Sequence, residues 1–370
     1  MDEGSLRVLA LVTDAFGGHG GIAQYNRDFL SALAECEGVG EVIVLPRAGG
    51  ERFLDALPPG VRQLDPVKGK LTYSLVAVGI AQRHPRIDIV FCGHLFMAPL
   101  AAITAKLLHA RLWVQVHGTD AWQALSALHR RSVEMATLIT SVSRYTRARL
   151  LEWVSIEPAR VKVLPNTVDP RFQPGPKPGY LVERHAAGGK KVLMTVSRLA
   201  ASEQQKGQDR VIQALPRVLL EHPETIYLVV GDGDDRPRLE ALATEFGVAE
   251  KVQFVGLAAP EELPDYFRLA NVFVMPSTCE GFGIAFLEAM ASGVPVISGN
   301  TDGSLDPLGD GVLGTAIDPK NENELAAAIC TALSTDPTNV DSAIRFKAPA
   351  FKEHLQAIVW SSFIEVHCAP

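Results

Sequence analysis

Ser277-Thr278-Cys279-Glu280-Gly281-Phe282-Gly283-Ile284-Ala285-Phe286-Leu287-Glu288-Ala289-Met290-Ala291-Ser292-Gly293-Val294-Pro295 is the stretch on which the reading of this 370-residue chain turns. It follows the apolar run Val272–Met275, and its tail enters a second run, Val294–Ile297. Both runs read as buried strands, and Gly283–Ala291 between them reads as a helix. Gly281 and Gly283 let the backbone approach a ligand closely and leave the first amides of that helix uncovered. Gly293 suits the residue just past a helix end, and Pro295 stops any continuation. Strand, glycine turn, helix and strand in this order make a βαβ unit of a parallel sheet.

The same alternation runs outward in both directions. Upstream in this half lie strand-like runs at Val192–Val196, Ile226–Val230 and Val252–Val255, with helical spacing at Gln208–Leu220, Arg236–Glu245 and Glu261–Leu269. Downstream, Glu322–Leu333 is helical. The first half repeats the pattern with Leu6–Val12, Val42–Leu45, Ile87–Phe91, Leu112–Val116, Leu138–Ser141 and Val161–Leu164, and with a helix at Ile22–Leu33. Between the halves, Pro170–Gly189 holds Pro170, Pro174, Pro176 and Pro178 with four glycines. That composition predicts an interdomain linker with neither helix nor central strand. A single core rarely grows past roughly 250–300 residues, so two domains are expected. The predicted fold class is α/β, with Rossmann-like domains at 1–169 and 190–350 and a linker at 170–189. A C-terminal helix within 351–370, periodic over Phe351–Phe363, is expected to pack back on the first domain.

Composition narrows the function classes. Apolar residues make up 47% and charged residues 21%, as in ordinary globular enzymes. A net charge of −7 argues against a nucleic-acid binder, which needs a basic field. Cys36, Cys92, Cys279, Cys330 and Cys368 form no CxxC pair and read as reduced thiols. The acidic start Met1-Asp2-Glu3-Gly4 lacks the basic and apolar regions of a signal peptide, so a cytoplasmic location is expected. The apolar stretch near 71–81 is too short to span a bilayer, and the one near 95–108 carries Pro99 and Lys106. Arg144, Arg147 and Arg149 around Leu150, Leu151 and Trp153 suit either a solvated helix face or peripheral contact with the inner face of a membrane.

Glu280 and Glu288 flank the glycine turn. A glycosidase pair would stand about 5–5.5 or 6.5–9.5 Å apart. Eight residues that include helix, at ~1.5 Å rise each, place these two further apart, at the two ends of a long polar ligand. Gly231-Asp232-Gly233-Asp234-Asp235 follows a strand and lacks the ligand spacing of a calcium loop, so it reads as a turn and no metal is expected. The loop Phe16-Gly17-Gly18-His19-Gly20-Gly21 follows a strand and opens a helix, but its spacing is not that of a dinucleotide site.

The 277–295 segment resembles the E-x7-E signature of the retaining family 4 glycosyltransferases, which have the GT-B fold of two Rossmann-like domains facing each other across a cleft. Three further segments resemble the same family. Ser197-Arg198-Leu199 with Lys206-Gly207 is similar to its basic diphosphate loop. Val116-His117-Gly118-Thr119-Asp120 is similar to its first-domain catalytic loop. Pro165-Asn166-Thr167-Val168-Asp169 is similar to the sequence before its interdomain crossing. The four occur in the family's order along essentially the whole chain. One departure is the interval from Arg198 to Lys206, eight residues where the family often has five.

The resemblance implies a retaining, metal-independent hexosyltransferase without a cofactor. Its donor would be a nucleotide diphosphate sugar, either GDP-mannose or a UDP-sugar. Its acceptor would be a hydroxyl, on a lipid-linked or growing glycan in cell-surface polysaccharide biosynthesis. By the same resemblance Arg198 and Lys206 hold the diphosphate and Glu288 the ribose. Glu280, Phe282, Gly283 and Ile284 hold the sugar and its phosphate end. Gly18 and Gly21 face the donor phosphates, while Gly17, His19 and Asn166 lie on the acceptor side. His117 orients the donor sugar. A GT-B nucleotide-sugar epimerase and a non-catalytic sugar-binding protein are the alternative readings.

Overall fold

The computed structural model describes residues 5–18, 20–48, 57–83, 86–335 and 341–365. The chain divides into two units, Met1–Thr167 with Ala348–Pro370, and Val168–Lys347.

The described residues of the first unit form a seven-stranded parallel sheet: β1 (Leu6–Val12), β2 (Val39–Pro46), β3 (Val61–Gln63), β4 (Ile89–Cys92), β5 (Arg111–Val116), β6 (Leu138–Ser141) and β7 (Val161–Val163), in the order β3-β2-β1-β4-β5-β6-β7. Helices α1 (Gly21–Ala34), α2 (Lys70–Arg83), α3 (Ala98–Leu108), α4 (Ala127–Glu134) and α5 (Arg144–Leu151) connect them. Side chains alternate across a strand, so each sheet face collects its own set. Leu9, Leu11, Ile43, Leu45, Val90, Leu112, Val114 and Ile139 form one face, under Tyr73 and Ala77 of α2, Ala101 and Ala105 of α3, Val133 of α4 and Leu150 of α5. On the other face Phe29 of α1 stacks on Phe91 at 4.5 Å and meets Trp113 edge-on at 5.2 Å.

In the second unit α6 (Gly179–Arg184) precedes β8 (Lys191–Val196), α7 (Gln208–Glu221), β9 (Thr225–Val230), α8 (Arg236–Glu245), β10 (Val252–Gly256), α9 (Leu263–Leu269) and β11 (Val272–Met275). Next come α10 (Ile284–Ala291), β12 (Val296–Gly299), β13 (Thr315–Ile317) and α11 (Glu322–Ser334). Its described strands make a six-stranded parallel sheet in the order β10-β9-β8-β11-β12-β13. Val211, Leu215 and Val218 of α7 and Leu325 and Ile329 of α11 bury one face of it. Phe267 of α9 and Phe286 of α10 bury the other, both against Phe273.

The α/β class and the strand–helix alternation are as expected. The stretch 170–189 is a correction. It belongs to the second unit and carries α6. All four prolines precede that helix, and Pro178 stands immediately before its first residue, where a missing N–H costs nothing. The three-residue edge strands β3 and β13 are too short for any sequence period to show.

The last helix, α12 (Ala348–Val359), lies against α1. One irregular turn continues it, Trp360–Ile364, and buries Phe363 completely. The Phe363 ring stands 5.3 Å from that of Trp113, under the Arg111 guanidinium at 4.9 Å. Phe363→Ala should therefore destabilise the first unit by about 3–5 kcal/mol. All four tryptophans, 113, 122, 153 and 360, lie in this unit, so their fluorescence in a denaturant titration reads it alone. A loss below about 1 kcal/mol would show that the C-terminal turn is no part of the core.

Candidate active site

In an open parallel sheet ligands bind beyond the carboxyl ends of the strands where the order reverses. In the second unit that point lies between β8 and β11. The loop after β8 holds Arg198, and the loop after β11 holds Glu280. The Gly231–Asp235 turn supports the first of them. Leu199 N–H donates to Asp232 O at 2.9 Å, and Asp235 N–H to Leu199 O at 2.8 Å. The approach is so close that a Cβ on Gly231 would lie 1.8 Å from Ser197 O. Asp234 Oδ1 accepts from Ala201 N at 2.7 Å, and Asp235 accepts two bonds from Arg238, both 2.7 Å.

The long interval between Arg198 and Lys206 is taken up by a tight helical turn, Ala201–Lys206, which ends at Gly207 with φ +88°. This turn docks on the loop after β11. Thr278 N–H donates to Gln205 O at 2.9 Å, and a Cβ on Gly207 would lie 2.5 Å from Pro276 O. Lys206 is thereby brought to Glu280, with which it forms an ion pair. Burial works against the Lys206 charge, but the Glu280 carboxylate outweighs it and raises the pKa. Arg198 is exposed and pairs with Glu203 of the same turn. Both expected diphosphate cations thus hold carboxylates.

A buried aspartate fixes the backbone at Glu280. Asp302 Oδ2 accepts from Glu280 N at 2.7 Å and from Ser277 Oγ at 2.8 Å, and its Oδ1 accepts from Ser304 N at 2.9 Å and from Ser304 Oγ. Burial still pushes its carboxyl above the ordinary value. Gly283 precedes α10 with φ +88°, its Cα side packed on the Phe286 ring, and the helix beginning at Ile284 has neither a side-chain cap nor an acidic residue in its first turn. Glu288 lies buried within α10. Phe282 is buried against the Phe346 ring at 5.9 Å.

In the first unit the strand order reverses between β1 and β4. The glycine-rich loop after β1 is held by side chains that sequence reasoning did not single out. Asn26 Nδ2 donates to Asp14 O at 2.7 Å, and Arg27 Nη1 to Gly18 O at 2.8 Å. Buried Gln63 donates to Phe16 O at 2.9 Å. Gly17 has φ +90°, and Gly21 opens α1. His19 lies outside the described residues, as does Cys368.

His117 follows β5 and is partly buried. Its Nε2 meets Gly93 O at 2.9 Å, so the neutral ring carries its proton there and leaves Nδ1 as an acceptor. Asp120 Oδ1 accepts from His117 N at 3.1 Å and Gly118 N at 2.7 Å, which fixes the loop. The Tyr25 ring stands edge-on to the imidazole at 5.0 Å, with its hydroxyl donating to Gln115 Oε1 at 2.8 Å. His-Gly-Thr-Asp is a legible side-chain-to-backbone turn, and Asp120 could have been found from it. Tyr25 and Gln115 meet only through the fold. Asn166 is buried, and its Oδ1 has no hydrogen-bond partner among the described residues.

The stretch read as either a solvated helix face or a membrane contact makes several bonds within its own unit. Leu150 is fully buried, Arg147 donates to Val161 O and Pro158 O at 2.7 and 2.8 Å, Arg149 pairs with Glu152, and Trp153 Nε1 donates to Ala121 O at 2.8 Å. These bonds fasten α5 to its own unit.

The sequence model for glycosyl transferases group 1 matches residues 182–348, and that for glycosyltransferase family 4 matches residues 19–172. The GDP-mannose-dependent alpha-(1-6)-phosphatidylinositol monomannoside mannosyltransferase of Mycolicibacterium smegmatis is 32% identical over 353 residues, covering 89% of this chain and 90% of that one. The D-inositol 3-phosphate glycosyltransferase of Stackebrandtia nassauensis is 31% identical over 62% of this chain and 52% of its own. Among solved structures, Anabaena HepE in complex with UDP superposes with a TM-score of 0.78 at 22% identity, over 96% of this chain and 100% of that one. The lipopolysaccharide outer core galactosyltransferase WaaB superposes at 0.73 and 18% identity, over 97% and 100%. Fold and matches together define a glycosyltransferase with the GT-B fold. The chain belongs to glycosyltransferase family 4.

Burial disfavours the imidazolium form and pushes the His117 pKa down to about 4. The ring should therefore be neutral at pH values above about 5. In a nitrogen-detected NMR titration its signals should stay constant from pH 8 to about 5 and move only near 4. A midpoint between about 6 and 7 would place the ring in water, and the neutral acceptor would then be lost below that pH.

Proposed function

We propose that the protein transfers mannose from GDP-mannose, with retention at the anomeric carbon, to a hydroxyl of a lipid-linked acceptor, and that it does so without a metal. The observation that carries the reading is the pair of cations, Arg198 and Lys206, gathered beside the uncapped start of α10 at the reversal point of the second sheet. The mannose donor and the lipid acceptor come from the nearly full-length match to a GDP-mannose-dependent phosphatidylinositol mannoside mannosyltransferase. Retention comes from the family resemblance.

In this reading the diphosphate takes Arg198 from Glu203 and draws Lys206 toward the same charge. Arg198 offers two parallel N–H donors to a phosphate, and Lys206 adds a point charge. The first amides of α10 favour the same negative group. Glu288 receives the ribose hydroxyls, and Glu280 a hydroxyl of the sugar. As the glycosidic bond breaks, charge gathers on the departing diphosphate, where these donors are already in place. The neutral Nδ1 of His117 accepts a bond from a donor-sugar hydroxyl and keeps the sugar oriented while it becomes oxocarbenium-like. The family resemblance assigns Gly18 and Gly21 to the donor phosphates, and Gly17, His19 and Asn166 to the acceptor side.

The test is a thermal-shift comparison of GDP-mannose with UDP-sugars, followed by acceptor-dependent release of the nucleoside diphosphate. Stabilisation by GDP-mannose alone supports the donor; stabilisation by a UDP-sugar replaces it. Release without an acceptor points to an epimerase. Arg198→Ala should lower kcat by at least about 100-fold, and activity should survive excess EDTA. A few-fold loss, or an EDTA-sensitive rate restored by magnesium, overturns the diphosphate role or the metal-free reading respectively.

A further inference from the structure

Three neighbouring helices of the first unit present apolar side chains to water. Helix α2 buries Tyr73, Ala77 and Ile80 against the sheet, yet its opposite side carries Leu71 and Leu75, 82% and 74% exposed. Helix α3 buries Ala98, Ala101 and Ala105 and exposes Ile103 and Leu107. Helix α4 buries Val133 and exposes Leu128, and the residue after it, Met135, is exposed as well. Helix α3 packs against both α2 and α4, and all three cover the same sheet face. A helix apolar on both sides belongs in a core or at an interface.

Charge says what covers this face. Among the described residues of α2, α3, α4 and the turn entering α2, the basic groups are Lys68, Lys70, Arg83, Lys106, Arg130 and Arg131. The acidic ones are Asp65 and Glu134. This concentration of positive charge stands in a chain whose net charge is −7. A second copy would bring the same positive field against itself. Leucines among lysines and arginines match the boundary of an anionic bilayer, where apolar side chains enter the acyl region and cations stay with the headgroups.

The face also continues to the site. Phe96, in the turn before α3, is exposed, stacks on His94 at 5.0 Å and meets the α4 side chain His129 edge-on at 6.4 Å. His94 in turn lies 6.2 Å from His117. A run of aromatic rings thus leads from the loops after β4 and β5 to the outer helices. No helix among the described residues is long and apolar enough to cross a membrane, so attachment through these elements is peripheral.

We infer that the outer face of α2, α3 and α4 docks the enzyme on an anionic lipid surface and brings a lipid-borne acceptor to the His117 end of the first sheet. The docking stands apart from the choice of sugar donor; the delivery of the acceptor rests on the lipid-linked reading above.

The full chain should sediment with vesicles of phosphatidylcholine containing about one-third phosphatidylglycerol, should leave them at high salt, and should ignore phosphatidylcholine alone. Each basic group near such a surface changes partition about fivefold, so Lys70→Glu/Lys106→Glu should weaken binding by at least tenfold. Leu71→Ser/Leu75→Ser should also weaken it, with an unchanged melting temperature because both side chains are already in water. Leu220→Ser, at an exposed leucine of the second unit, should bind as the parent does. Parent protein that stays in the supernatant overturns the docking. So does binding that neither double variant weakens, or a parent dimer that the leucine variant splits. Activity on a lipid acceptor that the two variants leave unchanged, while vesicle binding falls, retains the docking and overturns the delivery.

Discussion

Asp302 carries its carboxylate into a place almost closed to water, where an unpaired charge would cost several kcal/mol. Four donors answer it, from the Ser277 hydroxyl, the Glu280 amide, and the amide and hydroxyl of Ser304. They belong to the loops that follow β11 and β12, so one side chain sets the spacing between two strand ends. The rest of the second site is arranged from there. The Glu280 backbone is fixed, its carboxylate meets Lys206, and the turn bearing Lys206 is docked through Thr278 and Pro276. Gly303 completes the arrangement, because its amide donates to Glu280 O at 2.8 Å and a Cβ there would come 2.2 Å from Gly281 O.

The first unit uses the same device on a smaller scale. Asp120 gathers the amides of His117 and Gly118, and burial raises its own carboxyl to about 6. In each unit a carboxylate removed from water holds a loop at the carboxyl end of the sheet, and the chemically useful side chain projects from that loop. A bare loop would lose that geometry to conformational freedom. Here the desolvation of one acid is offset by backbone donors that have few other partners available.

Much of this was legible in the sequence, for identifiable reasons. Strands β1 and β6 and helix α8 match the apolar runs residue for residue, because buried parallel strands are continuously apolar and their helices keep a 3.6-residue period. The glycines at 231, 283 and 293 were readable because only glycine tolerates those backbone angles. Helix α6 was hidden by prolines that end where it starts. The partners of the site residues were hidden for a different reason. Glu203 opposite Arg198 is five residues away and within reach of inspection, but Gln63 beneath Phe16 and Tyr25 beside His117 are joined only by tertiary structure. The sequence shows the apolar sides of α2 and α3 only as runs too short or too interrupted to span a bilayer, and nothing in periodicity tells which side of such a helix stays wet.

Arg198 and Lys206 each hold a carboxylate of the chain. Glu203 occupies Arg198 and Glu280 occupies Lys206, so any anion arriving there meets a balanced set of charges. If the diphosphate binds here as proposed, such a place would work as an ion exchanger. An incoming phosphate gains only the difference between its own attraction and that of the carboxylate it displaces, and a departing one is replaced from within the chain. Stray inorganic anions, with one point of attachment, profit little from the exchange. A ligand that engages both cations and also reaches Glu288 profits most. Discrimination of this kind comes from competition inside the protein.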